Sequence, residues 1–323
     1  MTRIAVLDDW QGVARASADW APVSTRARVE FFSAPFADED AAARALAPVE
    51  IVCTIRERTP FPASLVQRLP SLRMLNMTGA RAALIDVAAL RARGVVVCHT
   101  GGGPSGASTA EVALGLMLAA ARAIPAADAA VRAGRFQEGT RAGPVLAGKT
   151  LGVIGLGRIG ARVARCGRAL EMRVVAWSQH LTAAAAAAAG CELLTKEELL
   201  ARADVVSLHL VLSERTQGIL GAAELERMKP GAILVNTARA ALVDEAALIH
   251  AVQSGRIVAA LDVFHREPLP ATHPFARADN VVLTPHLGYS ALEVYAEYYR
   301  HTVENVLAFL DGKPIRIVDP AGP

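Results

Sequence analysis

Three polar clusters, each just past a short apolar run, carry the residue types that chemistry needs. Ile233-Leu234-Val235-Asn236-Thr237-Ala238-Arg239 puts an arginine after a buried strand and before a helix opening near Asp244. Its guanidinium would emerge at a sheet's carboxyl edge, where it can grip a carboxylate through two hydrogen bonds. Ala260-Leu261-Asp262-Val263-Phe264-His265-Arg266-Glu267-Pro268 offers two acids, Asp262 and Glu267, with Pro268 fixing the turn after the second. Val281-Val282-Leu283-Thr284-Pro285-His286-Leu287-Gly288 sets a histidine in a rigid turn rather than on a core face. A histidine exchanges protons near neutral pH, and a neighbouring carboxylate favours its charged form and fixes its tautomer. Glu267 is the carboxylate assigned to that task, so Arg239, Glu267 and His286 are the catalytic candidates.

A hydride donor completes such a set, and the chain holds a turn suited to one. Leu151-Gly152-Val153-Ile154-Gly155-Leu156-Gly157-Arg158-Ile159-Gly160 joins an apolar strand to a helix through glycines in G-x-G-x-x-G spacing. Gly155 permits the tight turn, Gly157 lets the backbone approach a pyrophosphate, and Gly160 lets the helix pack closely on the strand. The unpaired N–H groups at Arg158 and Ile159 and the positive helix end favour an anion there, and the Arg158 side chain can add a charge-assisted contact. An amphipathic helix (Ile159, Val163, Cys166, Ala169, Leu170) and a second strand, Arg173 to Trp177, complete a βαβ unit. At the end of that strand, where an acid would bind the ribose 2'-hydroxyl of NAD, stand Ser178, Gln179 and His180. These repel a 2'-phosphate far less than a carboxylate does, which tilts the reading toward NADP and leaves NAD open.

The elements that must position these residues follow an α/β pattern. Apolar segments at 3–7, 28–32, 50–55, 72–77 and 95–98 alternate with alanine-rich helical stretches, and a longer helix runs from about Ser105 to Arg122. From Gly152 onward strands recur at 173–177, 204–210, 232–236, 257–261 and 280–283, as in a doubly wound sheet. A last helix, about Ala291 to Leu310, leads to a tail, Pro314 to Val318, that can return to the first domain. The expected architecture is a dinucleotide-binding Rossmann domain, 101–289, inserted into a smaller flavodoxin-like α/β substrate domain, 1–100 plus 290–323, with a cleft between them. The alanine run 183–189 reads as a plain helix stopped by Gly190. The segment from Val131 to Gly148 lacks clear periodicity and reads as a loop or an arm at a subunit contact.

Composition narrows the function classes. With 323 residues and 53% hydrophobic residues the chain can fill two cores. A formal net charge of +3, with basic and acidic residues interspersed, gives no nucleic-acid footprint. A signal-like leader and an uncharged apolar run of membrane-spanning length are both missing from the sequence, so the expectation is a cytoplasmic protein without a membrane partner. Cys53, Cys98, Cys166 and Cys191 form no CxxC pair and read as reduced core residues, and no metal site is expected.

Taken in order, Gly155-x-Gly157-x-x-Gly160, Asn236-Thr237-Ala238-Arg239, Asp262-Val263-Phe264-x-x-Glu267-Pro268 and Pro285-His286-x-Gly288 resemble the signatures of the D-isomer-specific 2-hydroxyacid dehydrogenases, over about Ala107 to Gly288. Thr78-Gly79-Ala80-Arg81 stands where that family's glycine-containing loop offers backbone N–H groups to the substrate carboxylate. The resemblance implies that His286 protonates the carbonyl oxygen of a 2-keto acid while a nicotinamide delivers hydride to C2. Glu267 would keep His286 oriented and charged, and Arg239 would bind the carboxylate, aided by main-chain donors at Gly79 and Ala80. Asp262 would hold the nicotinamide side of the cofactor, with Thr237 and Gly288 beside it. His209 and Thr216 fall where the family passes the adenosine half, and core or capping roles stay open for both.

Departures from the family pattern refine the expectation. Ser178 replaces the acid usual in NAD-using members, so either nicotinamide cofactor fits. Glu267 argues against formate dehydrogenase, whose relatives place glutamine there. The chain ends soon after its last helix, without the regulatory domain of many phosphoglycerate dehydrogenases, which points to a small unphosphorylated acid such as glyoxylate or hydroxypyruvate and, by resemblance, to a homodimer. Two alternatives stay open: a nucleotide-sensing protein of the corepressor kind on the same fold, and a dehydrogenase of another small anion such as phosphite.

Overall fold

A computed structural model of the chain describes residues 1–56, 58–79 and 84–318. It divides into two compact units, Met1–Ser105 with the chain from Ala291, and Gly106–Ser290. The first carries β1 (Thr2–Val6), α1 (Ala21–Ser24), β2 (Ala27–Phe31), α2 (Glu39–Leu46), β3 (Ile51–Thr54), α3 (Ala63–Gln67), β4 (Met74–Met77), α4 (Val87–Ala92) and β5 (Val96–His99). Its five strands are parallel, in the order β2-β1-β3-β4-β5. β3 and β4 are buried along their whole length, as strands covered on both faces must be, and this is why they read as mainly apolar runs, with Thr54 and Asn76 as the buried polar residues.

The second unit holds α5 (Ser105–Arg122), α6 (Ile124–Arg132), β6 (Thr150–Ile154), α7 (Arg158–Ala169), β7 (Arg173–Trp177), α8 (Ala183–Ala188), β8 (Glu192–Leu193), α9 (Lys196–Arg202), β9 (Val205–Leu208), α10 (Ala222–Arg227), β10 (Ala232–Asn236), α11 (Glu245–Gln253), β11 (Ile257–Leu261) and β12 (Val281–Leu283). Its seven parallel strands run β12-β11-β10-β9-β6-β7-β8. The chain winds outward from β6 in both directions, so a topological switch point opens at the carboxyl ends of β6 and β9. The last helix, α12 (Leu292–Leu310), returns to the first unit. The tail after it adds to β5: Val318 N–H donates to Val97 O at 2.8 Å and Ile317 bridges Cys98.

Local chemistry sets the helix starts. Asp244 accepts from Ala247 N–H at 2.8 Å ahead of α11, and Thr195 with Glu198 forms a capping box ahead of α9. Thr182 caps the alanine run, and Gly190, at φ +71°, ends it. The amphipathic reading of α7 holds for Ile159, Val163 and Leu170, which pack on the core, and needs correction at Cys166 and Ala169. Its buried residues are Gly160, Val163, Ala164 and Gly167, whereas Cys166 is half-buried and Ala169 exposed. The helix lies so close to the sheet that a Cβ on Gly167 would sit 2.5 Å from Leu151 Cδ2, so small residues rather than apolar bulk mark its inner face. β8 and α6 were not expected. β8 has two residues and, among the described residues, pairs only with β7, and α6 buries only Ala130, so neither leaves a periodic signal. From 133 to 149 the chain is irregular, with Arg141 donating to Ala120 O at 2.9 Å near the end of α5.

Candidate active site

β10, β11 and β12 lie side by side in register, with Asn236 opposite Leu261 and Leu261 opposite Leu283. The residues that follow these three strands therefore meet at one carboxyl edge, although they are far apart in sequence. Beyond β12, His286 Nδ1 lies 2.7 Å from Glu267 Oε2, from the segment after β11. The other carboxylate oxygen of Glu267 accepts from Phe264 N–H at 3.0 Å, so the acid is held from two sides. Burial works to raise the Glu267 carboxyl, but the His286 hydrogen bond and charge, the Phe264 N–H and the Arg239 charge together bring it below its ordinary value. The carboxylate is thus ionised at neutral pH. Because a carboxylate only accepts, Nδ1 of His286 carries a proton and Nε2 is the nitrogen turned to other chemistry.

Arg239 follows β10 through a turn shaped by Asn236, whose side chain accepts from Ala238 N–H at 3.0 Å and donates to Arg239 O at 2.9 Å. Its guanidinium donates to Ala238 O at 2.8 Å and lies near enough to Glu267 to stabilise that charge. A fixed cation, a fixed anion and an oriented imidazole thus share one strand edge. His286 itself has φ +55°, a left-handed conformation costly for a side chain with a Cβ. The surroundings impose it: Tyr289 packs edge-on at 5.8 Å between ring centroids, and Asp262 ties down the turn.

Asp262 was expected at the cofactor, and the structure places its carboxylate under the histidine turn. Fully buried, it accepts from Thr284 Oγ1 at 2.6 Å, Leu287 N–H at 2.6 Å and Gly288 N–H at 2.8 Å. Burial raises its carboxyl, against the pull of these donors and of His286. Gly288 is squeezed from the other side by α5, where Thr109 Oγ1 donates to its carbonyl at 2.7 Å. Thr109 and Thr284 carry no motif of their own, which is why the sequence reading passed over them.

The glycine turn tests whether the unit fits a dinucleotide. At Gly155, φ +100°, a Cβ would lie 2.7 Å from His209 C, and at Gly160 one would lie 2.1 Å from Gly155 O, so neither position tolerates a side chain. Gly157 has nothing within 4 Å of such an atom, the open space that a pyrophosphate needs. α7 starts there with Arg158 and Ile159 in its first turn, and the Arg158 side chain reaches over Gly106. At the end of β10, Thr237 is buried and its Oγ1 has no hydrogen-bond partner among the described residues, as a group awaiting a ligand would be. These features fit a nicotinamide dinucleotide along the carboxyl ends of β6, β9 and β10.

The remaining candidates take particular places. Ser178 Oγ accepts from Leu156 N–H at 2.9 Å, inside the glycine turn, while Gln179 is exposed. His209 pairs with Ser207 Oγ at 2.8 Å, and burial pushes its ring down to about 4, so it is neutral. The Thr216 hydroxyl donates to Val211 O and accepts from Ser213 N–H, both at 2.8 Å, within its own turn. In the first unit, Gly79 has φ +83° and its N–H donates to Thr100 Oγ1 at 3.0 Å, so that donor is already engaged. Ala80 lies outside the described residues.

Residues 114–288 match the D-isomer specific 2-hydroxyacid dehydrogenase NAD binding domain. The chain belongs to the D-isomer specific 2-hydroxyacid dehydrogenase family. The match to this dehydrogenase family takes in the glycine turn, Arg239, Asp262, Glu267 and His286. D-3-phosphoglycerate dehydrogenase of Archaeoglobus fulgidus is 40% identical over 263 residues, 81% of this chain and 50% of that protein. The chain thus spans about half the length of the phosphoglycerate dehydrogenases it matches. Glyoxylate reductase of Aeropyrum pernix is 40% identical over 257 residues, 77% of this chain and 76% of the reductase. Among solved structures, phosphoglycerate oxidoreductase of Vibrio cholerae o395 superposes with a TM-score of 0.91 at 36% identity, covering 97% of this chain and 100% of that one. No single described helix is long and apolar enough to cross a membrane.

Proposed function

We propose that the protein is a nicotinamide-dependent oxidoreductase that reduces a small 2-keto acid, of the glyoxylate or hydroxypyruvate kind, to its D-2-hydroxy acid, and runs in reverse as a dehydrogenase. The observation that carries the reading is the 2.7 Å contact between His286 and an ionised Glu267, with the Arg239 charge beside it. When bound, a reduced nicotinamide supplies the hydride that attacks C2. His286 Nε2 gives its proton to the carbonyl oxygen as the alkoxide charge develops, and Glu267 holds the ring in the orientation and charge state for that transfer. Arg239 binds the substrate carboxylate through its fork of donors and draws electron density from the adjacent carbonyl. Arg158, Ile159 and Thr237 would hold the cofactor, and Gly155, Gly157 and Gly160 make room for it. Asp262 acts through the His286 turn and Gly288, while Ser178 shapes the glycine turn.

The test is absorbance at the reduced-nicotinamide band with glyoxylate, hydroxypyruvate, pyruvate, bulkier 2-keto acids and phosphite as its own oxidation assay, each with both NAD and NADP forms. The names of the relatives add 3-phosphoglycerate to the oxidative panel. Oxidation of NADH or NADPH by any 2-keto acid supports the reading and assigns the cofactor. Silence with the reduced cofactor bound overturns it in favour of a nucleotide sensor. We also propose a homodimer through the region after α5, supported by exposed Ile124, Val131, Phe136 and Val145. Sedimentation at the monomer mass would refute it.

A further inference from the structure

The turn that carries His286 is fastened on both sides of the histidine. Ahead of it, Thr284 N–H donates to Leu261 O at 2.9 Å, Thr284 O accepts from His286 N–H at 3.0 Å, and the Thr284 hydroxyl donates to Asp262. Behind it, Leu287 N–H and Gly288 N–H both donate to the Asp262 carboxylate, and Ser290 N–H donates to Leu287 O at 2.8 Å. These partners all belong to β11 or to the segments that follow β11 and β12. The Gly288 carbonyl differs: it accepts from Thr109 Oγ1 at 2.7 Å, and Thr109 lies on α5, 179 residues earlier. Gly288 is buried, and a Cβ added to it would stand 3.3 Å from Asp262 Oδ2 and 3.3 Å from both Cγ2 and Oγ1 of Thr109. The glycine is thus held at both ends, its N–H by the acid and its carbonyl by the threonine.

We infer that Thr109 is a positioning residue for the acid: its hydroxyl anchors Gly288 to α5 and so keeps His286 in the left-handed backbone that sets its ring against Glu267. That role rests on the proposed function, in which His286 donates the proton. At φ +55° a residue with a Cβ stays only where its neighbours hold it. α5 is a firm reference for the turn, because Ala110, Ala113, Leu116, Met117 and Ala120 bury it in the same core as Leu151 and Val153 of β6. Without the hydroxyl, Gly288 O loses this donor while still buried, and residues 286–288 gain freedom to leave the left-handed conformation. The imidazole then spends less time at 2.7 Å from Glu267 Oε2. Turnover falls in proportion to the aligned fraction, since only an aligned ring delivers its proton, whereas ligand binding does not draw on that alignment.

The experiment compares wild type with Thr109→Val and Thr109→Ser. Valine keeps the shape of the side chain and removes the hydroxyl, whereas serine keeps the hydroxyl and removes the methyl group. Thr109→Val should lower kcat for the 2-keto acid about tenfold, the effect of one buried carbonyl left without its donor, with KM and the reduced-cofactor dissociation constant close to wild type. Thr109→Ser should keep kcat within about twofold of wild type. Amide hydrogen exchange over residues 286–288, measured without substrate or cofactor, should quicken in Thr109→Val and return to the wild-type rate in Thr109→Ser. An active wild type whose Thr109→Val variant keeps kcat within about twofold overturns the inference alone. An equal loss of kcat in both variants also overturns it, by assigning the effect to the methyl group, and so does a loss of kcat with unchanged exchange. A wild type that binds reduced cofactor and turns over no 2-keto acid overturns the functional reading and the inference with it.

Discussion

Replacing Glu267 with glutamine tests the core of the mechanism, because it keeps the shape and hydrogen-bonding reach of the side chain and removes only its charge. Glu267 Oε2 and His286 Nδ1 are 2.7 Å apart, with side chains 35% and 21% exposed. A hydrogen bond to a charged acceptor contributes about 1.5 to 3 kcal/mol against about 0.5 to 1.5 for a neutral one, and partial exposure to water places this pair toward the lower end. A difference of about 1.4 kcal/mol is about tenfold in rate. Reduction requires the ring to be held with Nε2 free for the carbonyl oxygen, and the ionised carboxylate fixes that orientation through Nδ1–H. In Glu267→Gln kcat/KM for the 2-keto acid should therefore fall about tenfold at neutral pH, with reduced-cofactor binding unchanged. The assay is kcat/KM for reduction at neutral pH, measured for both proteins with the most active 2-keto acid. A variant within about twofold of wild type would refute the claim that the Glu267 charge acts through His286.

Other substitutions probe the remaining parts. His286→Asn should retain reduced-cofactor binding, seen by fluorescence titration, and lose at least ~100-fold in turnover, the lower bound for a missing acid; near-normal turnover would remove His286 from proton transfer. Arg239→Lys should raise KM and lower kcat together, since a point charge cannot reproduce a two-pronged grip; wild-type kinetics would show that Arg239 does not hold the carboxylate. Gly157→Ala should leave the melting temperature near wild type, because the space there is open, yet weaken reduced-cofactor binding, whereas Gly160→Ala should lower the melting temperature as its Cβ meets Gly155 O. Unweakened binding by Gly157→Ala would count against pyrophosphate at that turn. The depressed Glu267 carboxyl adds stability above its unfolded-state value of 4.5 and loses it as pH falls through the lower folded value. The stability gap between wild type and Glu267→Gln in urea melts should accordingly narrow below about pH 4.5.

Much of this protein could be read from local pattern alone. Parallel strands buried on both faces leave continuous apolar runs, so β7, β10, β11 and α5 were legible to the residue, and β6 and β9 nearly so. The glycine turn was legible because only glycine satisfies a positive φ at Gly155 and the close approach at Gly160. Arg239, Glu267 and His286 were legible as polar residues placed past the ends of buried strands, where side chains have room to meet a ligand. Tertiary structure decided what these residues touch. Parallel registry across β10, β11 and β12 brought His286 to Glu267, and no spacing in the sequence encodes which acid the ring meets. The same registry turned Asp262 beneath the loop, where three donors occupy its carboxylate. Thr100 and His301 are 201 residues apart, and their bond exists only because α12 returns to the sheet that the first residues built. Sequence pattern reports the burial and conformation that each residue needs, which are local quantities. Hydrogen-bond partners across strands and helices depend on chain topology, and that is settled only when the elements pack.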